Sequence, residues 1–319
     1  MEKEQNNCCW VLAGPTASGK TALSLRLAQR HRLEIVCMDS MQIYRGMDIG
    51  TAKPTAEERA LVPHHLVDVA DPREPFSVAR YQELAEQAAR EIFARGNRPL
   101  FVGGTGFYLR ALRHPMAMGA VTGDEELRGS LQAIADGPDG RETLHRMLET
   151  EDPESAARLH VNDVRRVIRA LEVTRLTGIP FSHQEQPEGE APFRYRVAML
   201  DIDREVLYRR IEQRVDEMLR LGLVEELRGL LAAGVPENAQ ALKAIGYKEL
   251  LPFLRGEIPL ERAVYEIKLN TRHYAKRQLT WMRAEEDVFH ADGLRPDCYE
   301  KIEAWFLESP CSTGISSIL

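Results

Sequence analysis

An eight-residue segment near the N-terminus has the composition and spacing needed to hold phosphate. Residues 14–21 read GPTASGKT and match the pattern G-x-x-x-x-G-K-[ST] of a phosphate-binding loop. Its glycines permit backbone angles at which successive N–H groups point toward a phosphate chain at a helix N-terminus. Lys20 adds a positive charge, and the Thr21 hydroxyl is a suitable ligand for Mg²⁺. The predicted diphosphate- or nucleotide-binding residues are therefore Gly14, Pro15, Thr16, Ala17, Ser18, Gly19, Lys20 and Thr21.

Asp39 is a further candidate for a catalytic role, because its carboxylate can accept a proton. It follows the apolar run 34–38, which predicts a strand. If this strand is parallel to its neighbours, Asp39 lies at the carboxyl edge of the sheet, where open α/β sheets bind their ligands. The alternative is a structural role, in which the carboxylate caps a turn or a helix.

The apolar run 99–102 ends in Gly103, Gly104 and Thr105. Nucleotide hydrolases with a phosphate loop usually carry an acidic residue after such a strand, where it helps to hold Mg²⁺ and water. No acidic residue stands at this point, and the sequence thus argues against a motor or a GTPase-type hydrolase.

The elements around these segments predict the fold class. Strand-type runs at 8–13, 34–38, 65–69, 99–102, 195–200 and 288–290 alternate with helical segments. This alternation predicts an α/β fold: a P-loop NTPase-like core with a parallel sheet flanked by helices. Residues 118–193 contain no strand-type run, which predicts a mainly helical insertion domain. The predicted core comprises residues 1–117 and 194–319.

Two basic stretches interrupt a chain whose net charge is −7. Residues 158–175 hold five arginines, and residues 268–283 hold five lysines and arginines with no acidic residue. As a helix, residues 268–283 would present Lys268, Arg272, Lys276 and Arg283 as a one-sided stripe. Because no acidic residue is interleaved, the stripe favours a phosphate backbone as its partner. A solvated helix face is the alternative.

The cysteine pattern and the N-terminal sequence limit which kinds of site and which classes of protein fit this chain. The five cysteines form neither a C-x-x-C pair nor a zinc pattern, so a zinc site and a disulfide framework are not predicted. The polar start and the short apolar run behind it predict neither a signal peptide nor a membrane span. We expect a cytoplasmic monomer that makes no membrane contact.

At this point the chain resembles a known family, the bacterial tRNA dimethylallyltransferases, or tRNA isopentenyltransferases. The resemblance rests on runs that follow one another in order across most of the chain: GPTASGKT (14–21), DSMQIYRGMDIGTAKP (39–54), GGTGFYLRAL (103–112), HVNDVRRVIRALEV (160–173), KAIGYKEL (243–250) and KRQLTWMR (276–283). It implies transfer of a dimethylallyl group from dimethylallyl diphosphate to the exocyclic N6 amine of the adenosine 3′-adjacent to the anticodon, with diphosphate released.

The resemblance also implies roles for individual residues. Asp39 takes the place of the general base, and the loop holds the diphosphate leaving group with Mg²⁺. Zinc is not implied, because the zinc finger that eukaryotic relatives can carry is absent from this sequence. The partner is the tRNA anticodon stem-loop, for which the implied contact residues are Asp39, Ser40, Met41, Gln42, Thr105, Arg128, Val164, Arg165, Arg166, Val167, Ile168, Lys243, Gly246, Tyr247, Lys248, Lys276, Arg277, Gln278, Trp281 and Arg283.

The chemistry of such a transfer asks for these residue types. An adenine amine is a poor nucleophile, so a carboxylate that accepts its proton as the bond forms is a reasonable requirement. The departing diphosphate gains negative charge, which Lys20 and an additional arginine would stabilise. We favour Arg210 or Arg214, which are four residues apart on one predicted helix face, with Thr105 as a further catalytic candidate that receives the flipped adenine. The alternative is that both arginines are solvated partners of Glu205 or Glu217.

Three other functions stay open at this level. A small-molecule kinase could use the same loop, with Asp39 activating a hydroxyl. An RNA-binding protein could retain the loop without catalysis. A prenyltransferase acting on free AMP could use the loop and Asp39, but would have little use for the basic stretches.

Overall fold

The structure, a computed structural model, describes residues 8–114, 123–184 and 191–308. Its contacts group the chain into two compact units. Within the described residues, one comprises 8–114 and 191–308, and the other 123–184. The boundary expected between residues 117 and 118 lies outside the described residues, and the division into independent domains stays a prediction.

A parallel sheet of six strands is the centre of the larger unit. In spatial order the strands run β3-β2-β4-β1-β5-β6, and every neighbouring pair is parallel. The predicted fold class is thereby confirmed. The strands are β1 (Cys8–Ala13), β2 (Leu33–Met38), β3 (His64–His65), β4 (Arg98–Gly103), β5 (Arg194–Asp201) and β6 (Val288–Asp292).

Among the described residues, the larger unit contains helices before and after the smaller one. They are α1 (Lys20–His31), α2 (Ala56–Leu61), α3 (Val78–Ala94) and α4 (Gly106–Arg113), and, further along the chain, α9 (Arg204–Leu221), α10 (Leu223–Ala232), α11 (Tyr247–Leu254), α12 (Leu260–Arg283) and α13 (Cys298–Leu307). The smaller unit holds α5 (Glu125–Ala135), α6 (Gly140–Glu151), α7 (Pro153–Arg158) and α8 (Val164–Thr177).

The sheet is covered on both faces, which explains why its central strands read as continuous apolar runs. Every residue of β1 and β2 is buried. Alternate side chains point to opposite faces: Val11 belongs to one core cluster and Leu12 to the other. The first cluster includes residues of α3, α4, α10, α11 and α12, and the second includes residues of α1 and α13. The sheet is thus packed against helices on both faces.

The strand predicted over residues 65–69 is wrong beyond its first residue. Only His64 and His65 pair with β2. Leu66 and Asp68 have φ angles of +61° and +60°, which take the chain out of the extended conformation. The physical reason is a set of polar contacts, because the Asp68 carboxylate accepts bonds from Lys53 Nζ at 2.7 Å and from Arg59 Nη1 at 2.8 Å.

The smaller unit is mainly helical over residues 123–184, and the structure describes no strand there. Its core is formed by apolar side chains of α5, α6 and α8, among them Leu131, Leu144, Leu148 and Leu171. The side chains of Asp124 and Asp152 cap α5 and α7 by accepting backbone N–H bonds.

Candidate functional site

The phosphate loop connects the end of β1 to the start of α1. Gly14 and Gly19 have φ angles of +152° and +94°, and Ala17 has one of +62°, so the loop uses backbone conformations that side chains disfavour. A Cβ on Gly14 would lie 3.1 Å from the Leu200 carbonyl oxygen, so the loop packs closely on β5. No side chain caps the N-terminus of α1. The N–H groups of its first turn therefore need another acceptor, as in other anion-binding helix ends.

Lys20 folds back over the loop. Its Nζ donates to the carbonyl oxygens of Gly14 at 2.8 Å and Pro15 at 2.6 Å, and to Ser18 Oγ at 3.4 Å. Burial lowers the pKa of Lys20 to about 7, with a further lowering from Arg214, while the Asp39 charge opposes the change. A negatively charged ligand in the loop would reverse this effect and hold Lys20 in its charged form.

Asp39 lies directly after β2, as expected. Its Oδ1 accepts the backbone N–H groups of Met41 at 2.8 Å and Gln42 at 3.3 Å. Desolvation raises the pKa of the carboxyl, although those two N–H groups and Lys20 act in the opposite direction. A carboxylate whose pKa is raised is a better proton acceptor than an ordinary solvated carboxylate.

Thr105 lies beside Asp39. Its Oγ1 accepts the N–H of Ser40 at 3.2 Å, and its own N–H donates to the Met38 carbonyl at 3.3 Å. A Cβ on Gly103 would overlap the Met38 backbone, so glycine lets the ends of β2 and β4 approach each other. The Gly-Gly-Thr segment, where hydrolases carry an acidic residue, thus brings Thr105 close to Asp39.

Gln278 of α12 connects the phosphate loop to the Gly-Gly-Thr segment. Its Oε1 accepts the N–H of Thr16 at 2.9 Å, and its Nε2 donates to the Gly104 carbonyl at 3.0 Å. The side chain is buried, and a Cβ on Gly104 would overlap it. Trp281 packs in the same way over Gly106. In this structure both ends of the Gln278 amide therefore bond the protein's own backbone, a different partner from the tRNA that the resemblance implied.

Of the two candidate arginines, the structure brings Arg214 to the loop. Its Nη1 lies 3.5 Å from Thr16 Oγ1, and burial lowers the pKa of the guanidinium. Arg210 is half-buried one turn earlier on α9, and no hydrogen bond or ion pair of its side chain is seen in the part of the chain that the structure describes. Glu217, the expected alternative partner, pairs with Arg220 instead. A cavity of about 380 Å³ adjoins Arg214, with Lys53, Arg59, Met218 and Leu221 among its lining residues.

Carboxylates from neighbouring elements neutralise part of the basic stripe on α12. No acidic residue is interleaved within residues 268–283, but the fold brings three acidic side chains to them. Lys268 pairs with Asp216 of α9 at 2.6 Å, Arg272 with Glu212 of α9 at 3.0 Å, and Arg283 with Asp201 of β5 at 3.3 Å. Lys276 and Arg277 are exposed, and among the described residues no carboxylate pairs with either. Of the four stripe residues, Lys276 alone has no carboxylate partner among the described residues, and Arg277 adds a second exposed cation beside it.

The basic residues of α8 and its surroundings lie in the smaller unit. Arg128 and Arg169 bind the buried Glu172 at 2.7 Å and 2.6 Å, so Arg128 is already paired. Arg166 pairs with Asp163 at 3.4 Å, whereas Arg165 is exposed and has no carboxylate partner among the described residues. The neighbouring positions Val167 and Ile168 are buried in the core of this unit. Contact between these residues and tRNA stays a prediction.

The segment 243–248 lies against the larger unit's core. Tyr247 is fully buried, and its hydroxyl donates to Glu226 Oε1 at 2.6 Å. Lys248 is exposed to solvent, and its Nζ lies 3.5 Å from Glu249 Oε1. The predicted role of this segment in tRNA contact is untested, but the Tyr247 side chain has a structural partner.

Sequence reasoning missed two side chains at the site. Tyr274, one turn before Gln278 on α12, lies near Thr105 and Gln278, and its pKa is raised by burial and by the Asp39 charge. Glu226 binds the backbone of residues 48–50. The sequence offers no local signal for either, since both act on segments that are far away along the chain.

The loop could bind Mg²⁺ only together with phosphate, because it offers few oxygen ligands of its own. Among the described residues no cluster of three or more His, Cys, Asp or Glu side chains is arranged to hold a metal. Mg²⁺ bound through phosphate oxygens and water needs only one or two protein oxygens. The exposed Thr21 hydroxyl at the start of α1 can supply one.

Known families and proteins match most of this chain. Residues 42–285 match the IPP transferase family, and residues 8–62 match the isopentenyl transferase family. A tRNA dimethylallyltransferase of Geobacter metallireducens is 49% identical over 290 residues, which cover 90% of this chain and 93% of that protein. One of Halalkalibacterium halodurans is 47% identical over 294 residues, covering 92% and 93%.

Solved structures of proteins with related names are also similar to this chain. The full-length tRNA isopentenylpyrophosphate transferase of Bacillus halodurans aligns with a TM-score of 0.70 at 43% identity, over 94% of this chain and 95% of that one. A eukaryotic dimethylallyltransferase acting on tRNA aligns with a TM-score of 0.75 at 30% identity, over 90% of this chain and 74% of that one.

The phosphate loop on a six-stranded parallel sheet defines a P-loop α/β protein. Within that class, the chain belongs to the tRNA dimethylallyltransferase family. No helix in the described ranges combines the length and the apolar character that crossing a membrane requires.

Proposed function

We propose that this chain transfers a dimethylallyl group from dimethylallyl diphosphate to the N6 amine of the adenosine 3′-adjacent to the anticodon of tRNA, releasing diphosphate. The observation that carries the proposal is the placement of one carboxylate, Asp39, beside a phosphate loop that contains Lys20 and that Arg214 of α9 contacts. Such a site can take a proton from one substrate while it stabilises negative charge on the other. Because the acceptor is tRNA, the cytoplasm is the compartment that we propose.

Asp39 accepts the proton from the acceptor amine. Both backbone N–H groups that bind the carboxylate use Oδ1, and no hydrogen bond to Oδ2 is seen among the described residues. Oδ2 is therefore the oxygen available to the amine. As the bond between N6 and the allylic carbon forms, one proton leaves N6 for Oδ2, so that positive charge does not build up on the adenine.

The loop stabilises the leaving group. As the bond between the allylic carbon and the diphosphate oxygen breaks, negative charge grows on the diphosphate. Backbone N–H groups of the loop and Arg214 are placed to stabilise that charge, and Lys20 joins them by exchanging its bonds to the Gly14 and Pro15 carbonyls for the diphosphate. Gln278 contributes by holding the loop backbone in place at Thr16.

The Thr21 hydroxyl is the protein oxygen that would hold Mg²⁺ beside the diphosphate. When bound, the ion supplies further neutralisation of the leaving group's charge.

The acceptor side of the proposal rests on Thr105 and on exposed basic residues. Thr105 lies close enough to Asp39 to contact the same base, once that base has left the stack of the anticodon loop. Arg165, Lys276 and Arg277 are exposed and carry charge that no described carboxylate neutralises. We propose these three as phosphate contacts of the anticodon stem-loop.

A product assay tests the function. The protein is incubated with Mg²⁺ and an anticodon stem-loop, with either dimethylallyl diphosphate or ATP, and the RNA is weighed by mass spectrometry. We expect the mass of one dimethylallyl group to be added with the first donor and no phosphate to be added with the second. In a parallel thermal-shift titration, dimethylallyl diphosphate should protect more than ATP at matched concentration. A phosphorylated product, or tighter binding of ATP, would indicate a kinase instead.

A further inference from the structure

The segment 39–54, which we call the Asp39 loop, follows β2 and has no regular helix or strand. One carboxylate from another part of the chain binds its backbone. Glu226 of α10 accepts three consecutive N–H groups: those of Asp48 and Ile49 bind Oε2, both at 2.8 Å, and that of Gly50 binds Oε1 at 3.0 Å. Three charge-assisted bonds from one side chain hold this turn in a single conformation.

A fourth donor fixes the carboxylate itself. The Tyr247 hydroxyl donates to Glu226 Oε1 at 2.6 Å. The Tyr247 ring is fully buried and lies against Gly50, where an added Cβ would be 2.5 Å from it. The ring therefore packs on the turn that Glu226 binds. Burial and the Glu226 charge raise the pKa of Tyr247 beyond its ordinary range, so the phenol keeps the proton that it donates.

The turn at 48–50 is connected to Asp39 through Gln42. The Gln42 side-chain Nε2 donates to the carbonyl oxygens of Thr51 and Ala52, both at 3.1 Å. The backbone N–H of the same Gln42 donates to Asp39 Oδ1 at 3.3 Å. A displacement of residues 48–52 would therefore move Gln42, and with it one of the two backbone bonds that orient the Asp39 carboxylate.

From this geometry we propose that Glu226 is a positioning residue for the transfer reaction, which acts through residues 48–52 and Gln42 to orient Asp39, with Tyr247 holding Glu226 in place. The inference rests on the proposed function, in which Asp39 accepts the proton. It assigns Glu226 no contact with either substrate. The two oxygens of a carboxylate match four donors, whereas a glutamine would turn its NH₂ group toward N–H donors at one of the two positions.

The test is the single-turnover rate at saturating dimethylallyl diphosphate and anticodon stem-loop. Glu226→Gln should slow this rate by about 10- to 100-fold, the size expected from a small misplacement of a reacting group. The KM for the donor and the Kd for the stem-loop should change little. Glu225→Gln is the matched control, because Glu225 is the adjacent acidic residue, is exposed and pairs only with Arg228 among the described residues. It should react at the rate of the unmodified protein.

A double-mutant cycle with Asp39→Asn separates positioning from a general loss of structure. If Glu226 acts through Asp39, then adding Glu226→Gln to Asp39→Asn should slow the reaction by less than about threefold further. A full multiplicative loss in the double variant would overturn the inference, as would an unchanged rate for Glu226→Gln alone. If Asp39→Asn by itself leaves the rate unchanged, the proposed role of Asp39 fails and this inference fails with it.

Tyr247→Phe provides a second variant should Glu226→Gln fail to fold. It removes one hydroxyl from a buried position and keeps the ring, the Glu226 carboxylate and its three backbone bonds. We expect a rate loss of about two- to fivefold, smaller than that of Glu226→Gln and likewise suppressed in the Asp39→Asn background. A lower melting temperature with an unchanged rate in this variant would mean that the carboxylate and the phenol only stabilise the fold, which contradicts the proposal.

Discussion

The phosphate loop and the Asp39 loop are neighbours at the carboxyl edge of the sheet, but different interactions hold them. The phosphate loop takes its shape mainly from local backbone geometry at Gly14 and Gly19 and from the internal bonds of Lys20, and one distant side chain, Gln278, bonds its Thr16 N–H. The Asp39 loop takes its shape from side chains that are far away along the chain: Glu226 lies 176 residues from Gly50. A local motif can thus be read from spacing alone, whereas a loop held by distant side chains cannot.

The largest expected effect concerns Arg214 of α9, which is far from the phosphate loop along the chain but contacts Thr16. Arg214→Gln should slow single-turnover transfer by about 10²-fold, since the leaving group loses a desolvated cation. Arg210→Gln is the matched control on the same helix face, and it should cost less than about threefold. Both rates are measured by quenched-flow assay. An equal loss of rate in Arg214→Gln and Arg210→Gln would contradict a specific role for Arg214.

A smaller effect is expected at the two basic helices. Arg165→Glu combined with Lys276→Glu should weaken stem-loop binding and reduce the slope of log affinity against log salt by about two, one for each lost phosphate contact. Binding of dimethylallyl diphosphate should not change. The control is Lys268→Glu with Arg272→Glu, because these two already pair with Asp216 and Glu212. A slope that falls equally in the control would contradict the distinction between neutralised and free parts of the stripe.

A further effect is expected on stability, and it follows from the burial of Lys20 and from the nearby Arg214. The pKa of Lys20 is about 7 in the folded protein and near 10.5 in the unfolded chain, so between these values the unfolded chain binds more protons. The free energy of unfolding should therefore rise as pH increases from about 7 toward 10.5. Lys20→Met should remove this rise, whereas the exposed Lys276→Met should keep it. Urea titrations from pH 7 to pH 10 measure the difference, and parallel curves for both variants would refute the assignment.

These cases show how much of the molecule the sequence could predict. The strands, the order of α and β elements and the position of Asp39 followed from apolar runs and from the loop motif, because those signals are local. The strand predicted at 65–69 failed because Lys53 and Arg59 bind Asp68 and favour a turned backbone over pairing with β2. No periodicity in that segment carries this information.

The charge of the α12 surface could not be predicted from the sequence for a related reason. Within residues 268–283 no acidic residue occurs, but α9 and β5 supply three carboxylates in space. Charge patterns along one helix thus do not determine the charge of its surface. Gln278 is a similar case, since its bond to Thr16 joins residues 262 positions apart. The choice between Arg210 and Arg214 also needed the packing of α9 against the loop.

The central claim is that Asp39 takes the proton of the acceptor amine beside a loop that holds the diphosphate. The most direct test is the single-turnover rate of Asp39→Asn with saturating dimethylallyl diphosphate, Mg²⁺ and anticodon stem-loop. Asparagine keeps the size of the side chain and an oxygen for the bonds from Met41 and Gln42, but it cannot accept the proton. The account predicts a rate about 10² to 10⁴ times slower, with stem-loop affinity little changed. A rate close to that of the unmodified protein would contradict it.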